Sequence, residues 1–300
     1  MPPPPSQTYR GRFAPTPSGD LHFGSLITAV GSYLEAKHHH GEWLVRIEDL
    51  DIPRTTTGAA DAILHTLEKH HLFWDQAVLY QEHRGHHYQQ AMALLGKTSR
   101  LFGCHCSRRS LRQTPCYPGH CRAEQLSLDH HAVRLRIAPQ TLALNDLWQG
   151  RQQWALEQEV GDFVIRRADG LCSYQLAVVV DDHLQGVTHV VRGSDLLDST
   201  PKQLYLQQQL HYPSPHYGHL PIALGSDGRK LSKQNFASPL DNSTVTDNLF
   251  QALLFLGQKT PVALRRSSPE TLWQWALEEW QSQRVPHQMA IPVESISWIK

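Results

Sequence analysis

The sequence predicts an α/β fold in which a parallel sheet is interrupted by a small cysteine-rich insert and followed by a helical C-terminal subdomain. Short β-type runs alternate with amphipathic helical segments from residue 9 to residue 240, an order typical of parallel sheets. Between residues 100 and 122 this pattern gives way to Cys, Arg, Pro and Gly. Because 40% of the 300 residues are apolar, the chain can bury a substantial core, which excludes a disordered protein.

The first half of the pattern opens with a strand, a turn and a helix. The strand runs from Tyr9 to Ala14, residues 15–19 form a Pro and Gly turn, and apolar residues at helical spacing predict a helix from Gly24 to about Lys37. This order is the beginning of an α/β unit. The next predicted elements are a strand from Trp43 to Ile47, a helix that includes Ala60 to Leu67, and a helix from Arg84 to Ser99.

The second half contains further strands and three helices. The predicted strands run from Arg134 to Ile137, Phe163 to Arg166, Leu176 to Asp182, Thr188 to Arg192 and Leu220 to Leu224. The turn Ala168-Asp169-Gly170 leads from the second of these strands into the third. Ser199 as N-cap and Pro201 in the first turn predict a helix to about Leu210. The last two helices are predicted from Leu249 to Leu256 and from Glu270 to Trp280.

The charge and hydropathy of the chain limit its partners. Its 28 basic and 28 acidic residues give a formal net charge of zero, so a nucleic acid would have to contact a local basic patch. The longest purely apolar runs, such as residues 176–180, are too short to cross a bilayer, and the proline-rich residues 1–8 have no hydrophobic signal core. We expect a cytoplasmic monomer without membrane contact, in which most of the 20 histidines are solvated.

The insert requires something other than apolar packing to hold it together. Four of the five cysteines lie between Cys104 and Cys121, and such clustering in a cytosolic protein favours a metal site over disulfides. A segment with few large apolar residues cannot pack its own core, so we predict one structural Zn²⁺. Three thiolates come from Cys104, Cys106 and Cys121, and a count of the cysteines selects Cys116 as the fourth ligand.

Two separate segments carry residues suited to a nucleotide. In Arg12 to Gly24 a strand feeds a helix through a Pro and Gly turn, and free backbone N–H groups at a helix N-terminus suit phosphate. About 200 residues downstream, Arg229 to Gln234 form a loop with two lysines around Leu231-Ser232. The first segment alone is a weak signal, because most turns before a helix are only turns.

Together these segments resemble the class I aminoacyl-tRNA synthetases. His22-Phe23-Gly24-Ser25 is similar to the HIGH signature, and Lys230-Leu-Ser-Lys-Gln234 is similar to the KMSKS signature. The blocks Arg46 to Asp51, Asp181 to Leu197 and Thr200 to Gln203 resemble the glutamyl branch. The likeness covers residues 9–240 in order and implies a Rossmann-like catalytic domain. The implied organisation is a disordered tail at 1–8, catalytic halves at 9–99 and 161–240, a zinc-containing insert at 100–160 and an α-helical subdomain at 241–300.

The resemblance implies roles for individual residues. The ammonium of L-glutamate is assigned to Glu48, and its carboxylates to Arg12 and Arg192 with Tyr174, since guanidinium groups bind carboxylates well. A surface salt bridge between Arg192 and Asp195 is the alternative for that arginine. The rest of the amino-acid contact is assigned to Phe13, Ala14, Pro15 and Thr16. ATP, with Mg²⁺, is assigned to His22, Gly24, Lys230 and Lys233, of which His22 and Lys233 are catalytic; Lys230 is equally well explained as a solvated lysine.

The same resemblance selects Tyr117, through its phenolate oxygen, as the fourth zinc ligand beside Cys104, Cys106 and Cys121, with Cys116 as the alternative. Few residues follow the KMSKS-like loop, so the long anticodon-binding portion of a glutamyl-tRNA synthetase is not expected. The chain therefore resembles the short members of the branch that form glutamyl-adenylate without tRNA and transfer glutamate to the queuosine base in the anticodon of tRNA(Asp).

Two other functions fit the same sequence. One is a short synthetase that charges tRNA(Glu) at its 3′ end, and the other is a catalytically silent regulator that binds RNA or an amino acid. Candidate contacts to the RNA backbone are Arg108, Arg109, Arg112 and Arg122 in the insert, and Arg265, Arg266 and Trp273 near the C-terminus. The arginines of the insert could instead balance the charge of a zinc–thiolate site.

Overall fold

A computed structural model describes residues 8–51, 53, 55–107, 109–112, 114, 116–231 and 238–295. Its strands are β1 (Arg10–Phe13), β2 (Glu42–Ile47), β3 (Leu79–Tyr80), β4 (Leu101–Cys104), β5 (Ala132–Leu135), β6 (Thr141–Asp146), β7 (Gly150–Ala155), β8 (Phe163–Arg166), β9 (His189–Gly193), β10 (His216–Leu220), β11 (Ile222–Leu224) and β12 (Ala290–Pro292). Its α-helices are α1 (Phe23–His38), α2 (Ala59–Lys69), α3 (Gly85–Gly96), α4 (Leu156–Glu159), α5 (Tyr174–Leu184), α6 (Thr200–Leu210), α7 (Val245–Phe255) and α8 (Pro269–Glu279).

The parallel strands form a Rossmann-like arrangement. β1, β2 and β3 pair in parallel on one side, and β9 pairs in parallel with β10 on the other. The N–H of Thr188 donates to the carbonyl of Arg10 over 2.9 Å, which joins β9 to β1. The spatial order is thus β3, β2, β1, β9, β10, so successive strands are added on one side of β1 in the first half of the chain and on the other side in the second half. In such sheets ligands bind at the carboxyl ends of the strands where this change of side occurs.

Helix α1 crosses this sheet and connects it to the C-terminal helices. His22 caps the helix, because its Nδ1 accepts a hydrogen bond from the N–H of Ser25 over 3.2 Å. The apolar side chains of α1 share one buried cluster with β2, α7 and α8. Trp280 also donates its indole N–H to Glu35 in α1 over 2.8 Å. The predicted C-terminal helices are confirmed, and they pack into the core of the first half of the chain.

One predicted strand is wrong. Residues 176–182 lie within helix α5, which Ser173 caps by accepting from the N–H of Leu176 over 3.5 Å. Every residue from Leu176 to Asp182 is buried. A helix buried on all sides shows no apolar and polar alternation, so its sequence resembles that of a buried strand. The helix instead separates β8 from β9 and brings Asp181 and Asp182 beneath the sheet.

The other differences concern sheet pairing. β4, β5 and β8 form an antiparallel sheet, and β6 and β7 form an antiparallel hairpin, so the parallel arrangement is confined to the other strands of the described residues. The strand predicted from Leu220 to Leu224 is interrupted at Pro221, which has no N–H to donate. Its second part, β11, pairs in parallel with β12, a strand the sequence pattern did not indicate. Among the described residues, no helix has both the length and the apolar character needed to span a bilayer.

Candidate amino-acid pocket and metal cluster

A network of buried charges lies at the carboxyl ends of β1 and β2. Arg12 donates through Nε and Nη2 to the two carboxylate oxygens of Asp182, over 3.1 and 3.4 Å. Arg46 donates through Nη1 to the same carboxylate over 2.7 Å and through Nη2 to Glu48 over 3.4 Å. These four side chains are nearly inaccessible to solvent. Asp182 therefore fixes the distance between the two arginines before any ligand arrives.

Glu48, assigned to the ammonium group, lies at the edge of this network. Burial raises the pKa of Glu48, and the positive charges of Arg46 and Arg12 offset that rise only in part. Burial also tends to raise the pKa of Asp182, but the positive charges of Arg12 and Arg46 outweigh that effect, so the pKa of Asp182 is lowered. An ammonium group placed beside Glu48 would favour its ionised form, as a nearby positive charge does for any carboxylate.

Arg192 enters the pocket from β9 and is also buried. Its guanidinium donates to Gln203 Oε1 over 2.8 Å, to Thr200 Oγ1 over 2.9 Å and to His219 Nε2 over 3.1 Å. Asp195 instead pairs with Lys230. The alternative in which Arg192 forms a surface salt bridge with Asp195 is therefore wrong.

Tyr174 is within electrostatic reach of both Arg192 and Arg12. Burial raises the pKa of its hydroxyl, Arg192 and Arg12 lower it, and Glu48 raises it further. All three charged groups are thus close enough to act on Tyr174. Residues 14–16 are half-buried in the turn after β1, where the carbonyl of Pro15 accepts from the N–H of Glu48 over 3.0 Å.

Phe13 precedes this turn, and its ring packs in the apolar core against Trp43 at 6.1 Å between ring centroids. The side chain of Phe13 is therefore part of the apolar core.

The described part of the second synthetase-like signature, Lys230 and Leu231, lies beside the first signature. A methyl group added to Gly24 would lie 3.2 Å from the carbonyl oxygen of Leu231, so the start of α1 approaches the backbone that leads into the second signature. After that loop, Leu240 donates its N–H to the carbonyl of Leu21 over 2.9 Å, and Pro239 forms a β-bridge with His22. Leu231, Pro239 and Leu240 are therefore all close to the N-terminus of α1. Lys233 itself lies outside the described residues.

The insert brings three cysteines and one tyrosine together. The sulfur atoms of Cys104, Cys106 and Cys121 all lie within 4.8 Å of one another, so this group can hold a metal ion. Cys106 and Cys121 are separated by 3.6 Å between sulfurs, and Cys104 Sγ lies 3.6 Å from the Tyr117 hydroxyl. Tetrahedral coordination with Zn–S bonds of about 2.3 Å sets ligand atoms about 3.8 Å apart. The observed separations are close to that value.

Cys116 is directed away from this group. Its thiol donates to the carbonyl oxygen of Gln158 over 2.9 Å, whereas the Tyr117 hydroxyl accepts from the N–H of Cys121 over 2.9 Å and lies inside the cluster. The arrangement favours Tyr117 over Cys116 as the fourth ligand. Another group, His105, Cys121 and Glu124, has suitable spacing too, but two of its members are exposed.

The electrostatics of the cluster also fit a cation. Burial and the neighbouring thiols of Cys121 and Cys104 raise the pKa of Cys106 to about 11. Burial opposes ionisation of Cys104 as well, but hydrogen bonds from Arg134 and Tyr117 outweigh it and lower the pKa of that thiol. Arg134 donates through Nε to Cys104 Sγ over 3.1 Å. One arginine cannot neutralise three thiolates, whereas a divalent cation with that arginine does.

Several residues expected to contact RNA have structural partners. Arg122 forms a two-point ion pair with Asp162, at 2.6 and 2.9 Å, and Arg265 pairs with Asp247 at 2.5 Å. Trp273 is buried, and its indole N–H donates to the carbonyl of His70 over 2.8 Å. Trp273 therefore cannot contact RNA, and the prediction for it is wrong. Arg109, Arg112 and Arg266 are exposed, and Arg108 lies outside the described residues.

The sequence pattern missed four residues that build the pocket. Arg46 and Asp182 belong to the blocks that resemble the glutamyl branch, but no role was assigned to them. Asp146 and His219 had no such signal, and the expectation of solvated histidines is wrong for His219, as it is for His70, because both are fully buried. Four of the five residues of β10 are buried, but its sequence HYGHL contains two histidines and gave no clear indication of burial.

Comparisons with known proteins agree with this geometry. Residues 8–257 match the family model of the class I tRNA synthetases (E and Q), catalytic domain. A protein of Dechloromonas aromatica named glutamyl-Q tRNA(Asp) synthetase is 49% identical over 293 residues, which cover 94% of this chain and 97% of that protein. A protein of Serratia proteamaculans with the same name is 47% identical over 289 residues, covering 95% of each chain.

Among solved structures, the chain is similar to the glutamate-tRNA synthetase of Elizabethkingia anophelis, with a TM-score of 0.79 and 24% identity. This match covers 97% of the present chain and 69% of the other. The glutamate tRNA ligase of Elizabethkingia meningosepticum in complex with its amino acid gives a TM-score of 0.78 at 23% identity and covers 97% and 68%. At this level of identity the two structures support the fold alone.

Proposed function

We propose that this chain, which belongs to the class I E and Q tRNA synthetase catalytic-domain family, activates L-glutamate with ATP and transfers the glutamyl group to tRNA(Asp). The observation that carries the proposal is that Arg12, Glu48 and Arg192 are buried at the carboxyl ends of neighbouring parallel strands and that all three are close enough to act on the Tyr174 hydroxyl. Glutamate carries one ammonium and two carboxylate groups, a net charge of −1. The buried charged groups here are three arginines and two carboxylates, a net charge of +1, namely Arg12, Arg46, Arg192, Glu48 and Asp182. The charges of ligand and pocket are therefore complementary.

The activation step needs positioning and charge stabilisation. The glutamate α-carboxylate attacks the α-phosphorus of ATP in line, glutamyl-adenylate forms and pyrophosphate leaves. His22 and Gly24 lie at the N-terminus of α1, where backbone N–H groups and the helix dipole favour phosphate. Lys233 supplies positive charge as negative charge grows on the α-phosphate. Mg²⁺ accompanies ATP as the usual chelate of the triphosphate.

Pyrophosphate exchange tests activation directly. The chain should exchange labelled pyrophosphate into ATP when glutamate is present and no tRNA is added. Lys233→Ala should lower that rate by roughly 100-fold or more while leaving glutamate binding almost unchanged, because its charge acts mainly in the transition state. Arg229→Ala, on the same loop, is the matched control and should retain most of the rate. If Lys233→Ala exchanges at the normal rate, Lys233 has no part in the mechanism.

The proposed acceptor is the queuosine base in the anticodon loop of tRNA(Asp). The relatives that match nearly the whole chain are named for tRNA(Asp), and this chain spans about two thirds of the glutamate-tRNA synthetases that share its fold. Sequence-specific RNA recognition uses single-stranded loops, whose bases can be turned outward into a pocket. Queuosine carries a cyclopentene diol, which supplies hydroxyl groups in place of the ribose hydroxyls of a terminal adenosine.

Three RNAs distinguish the acceptors. Labelled glutamate is offered with queuosine-containing tRNA(Asp), with the same tRNA carrying unmodified guanosine, and with tRNA(Glu). We expect labelling of the first RNA alone, in an ester that survives removal of the 3′-terminal adenosine. Labelling of tRNA(Glu) at its 3′ end would identify a short conventional synthetase. Glutamate-independent binding of RNA with no exchange would identify a silent regulator.

Zinc is the proposed occupant of the thiol cluster, held by Cys104, Cys106, Cys121 and the Tyr117 oxygen. A d¹⁰ ion bound by four protein ligands supplies folding energy and leaves no open position for substrate. The expected content is one Zn²⁺ per chain after purification under metal-sparing conditions. Absence of zinc in such a preparation, with the insert folded, would contradict the assignment.

A further inference from the structure

Two buried residues outside the sequence signatures connect to Arg192 through a chain of hydrogen bonds. Asp146 ends β6 and His219 lies in β10, and neither side chain is accessible to solvent. Asp146 Oδ2 lies 2.5 Å from His219 Nδ1, and Arg192 Nε donates to His219 Nε2 over 3.1 Å. The chain runs from the β6–β7 hairpin to the pocket.

These contacts determine the tautomer of His219. An arginine Nε can only donate a hydrogen bond, so His219 Nε2 must be the acceptor and carries no proton. The proton is therefore on Nδ1, which donates it to Asp146. The other oxygen of Asp146 is fixed by three backbone donors, the N–H groups of Trp148, Gln149 and His219, at 3.1, 3.0 and 3.0 Å. This carboxylate thus has little freedom to turn.

The guanidinium of Arg192 is held on nearly all sides. Its Nε bonds to His219, one N–H of Nη1 bonds to Gln203, and Nη2 bonds to the carbonyl of Leu196 and to Thr200. A guanidinium has five N–H groups, so these contacts among the described residues leave the second N–H of Nη1 for a ligand. The orientation of that single group depends on every contact around it.

We infer that Asp146 and His219 are positioning residues that orient Arg192 toward a carboxylate of the amino-acid substrate. The inference rests on the proposed function, because it takes Arg192 as a glutamate contact. Asp146 selects the His219 tautomer, His219 offers an acceptor where Arg192 Nε must point, and the negative charge of Asp146 compensates a buried arginine. A neutral histidine between the two charges keeps Asp146 from pairing with Arg192 directly and turning it away from the ligand.

Two substitutions of His219 test separately the hydrogen bonds made by its two ring nitrogens. His219→Asn places an amide near Nδ1, so it can donate to Asp146 but offers nothing to Arg192. His219→Gln reaches the position of Nε2 and can accept from Arg192. Loss of a hydrogen bond to a charged group should raise the glutamate KM in exchange by about 10- to 100-fold in His219→Asn, with a smaller change in the ATP KM. His219→Gln should recover most of the glutamate affinity.

Combination with Arg192→Ala tests whether His219 acts through the arginine. In that background His219→Asn should change glutamate binding by less than about twofold, because residues that act as one unit are not additive. A full additional effect would show that His219 acts by another route. If His219→Asn raises the KM for glutamate and the KM for ATP equally and loses stability to match, His219 is only a packing residue. An unchanged glutamate KM in both His219→Asn and His219→Gln would lead to the same conclusion.

Nitrogen NMR of the histidine ring gives a readout independent of catalysis. His219 should be protonated on Nδ1 and unprotonated on Nε2, and Asp146→Asn should change that pattern. A protonated Nε2 in the unmodified protein overturns the inference. If the unmodified protein neither exchanges pyrophosphate nor binds glutamate, the proposed function fails and the substrate-orienting role fails with it. If the unmodified protein exchanges pyrophosphate and binds glutamate, and the His219 variants have the same glutamate KM as it has, the inference fails while the proposed function stands.

Discussion

The arginine pocket and the thiol cluster of the insert are both polar sites assembled from distant parts of the chain, but they balance charge in different ways. In the pocket, Asp182 bridges Arg12 and Arg46, so protein groups neutralise one another. In the insert, three thiols face one another and a tyrosine, and Arg134 is the basic group bonded to Cys104. The charges of the pocket are therefore balanced by protein groups, whereas the insert presents a group of thiols that could hold a cation.

The difference indicates what each site contributes to the fold. The pocket lies against a large apolar core that includes α1, β2, α7 and α8. Burial of this apolar surface offsets the desolvation cost of the buried charges. Apart from the cysteines and Tyr117, three apolar side chains among the described residues of the insert pack against the cluster, namely Phe102, Leu111 and Leu126. We therefore expect damage to the pocket to act on global stability, and damage to the cluster to act on the insert.

The largest effect is expected from Asp182→Ala. It leaves two buried guanidinium groups without their shared carboxylate, which should cost about 3–5 kcal/mol of unfolding free energy. Urea unfolding measures the change. The matched control is Asp169→Ala, which removes an exposed ion pair with Arg167 and should cost less than about 1 kcal/mol. Similar values for both variants would show that the buried network does not stabilise the protein.

The next effect is expected from Cys121→Ser. It should reduce bound metal from one ion per chain to none and make the insert sensitive to proteases, while the main unfolding transition changes less than in Asp182→Ala. Metal analysis and limited proteolysis measure the two results. Cys172→Ser, outside the cluster, should retain the metal. Loss of the whole fold in Cys121→Ser would remove the distinction between the two sites.

A smaller effect distinguishes the fourth ligand. Tyr117→Phe keeps the ring that packs against Phe102 and Arg134 but removes the oxygen, so zinc affinity should fall by about 10-fold or more. Cys116→Ala should leave the affinity unchanged, because its thiol faces Gln158. Competition with a chelator of known affinity measures both. The reverse result would make Cys116 the ligand.

The smallest effect concerns pH and the pocket. Burial raises the pKa of Glu48, with Arg46 and Arg12 offsetting it in part, and only the ionised carboxylate attracts an ammonium group. Glutamate affinity should therefore be highest above the raised pKa of Glu48, where the carboxylate is ionised. Below that pKa the affinity should fall by about tenfold per pH unit. Asp182, whose pKa is lowered, stays ionised over the same range. Titration calorimetry measures the trend, and Glu48→Gln should bind weakly with no such dependence.

Local sequence signals located much of the fold. The predicted α1 began within one residue of the observed helix because a turn precedes it and its apolar residues recur at helical spacing. The predicted start of α6 is also correct, since the helix begins directly after Ser199 with Pro201 in its first turn, although the Ser199 side chain makes no capping hydrogen bond. The pattern failed where burial removed periodicity, as in α5. It also failed at β12, three residues long, whose pairing with β11 is set by contact between distant parts of the chain.

For the candidate site, the sequence supplied residues and the structure supplied partners. The positions of His22, Glu48 and Arg192 followed from motif resemblance, and their roles in binding stay predictions. The role of Lys233 also stays a prediction, since Lys233 lies outside the described residues. That Asp182 bridges two arginines could not be inferred, because the hydrogen bonds join positions 170 and 136 residues apart.

The sequence by itself determined most of the helices, the clustering of four cysteines and the two segments that resemble synthetase signatures. Only the tertiary structure decided that residues 176–182 are helical, that Tyr117 rather than Cys116 faces the thiols, and that Asp146 reaches His219 across 73 residues. Caps, turns and periodicity are set by neighbours along the chain. The partner of a buried charge is set by which strands lie side by side, and that follows from packing of the whole core.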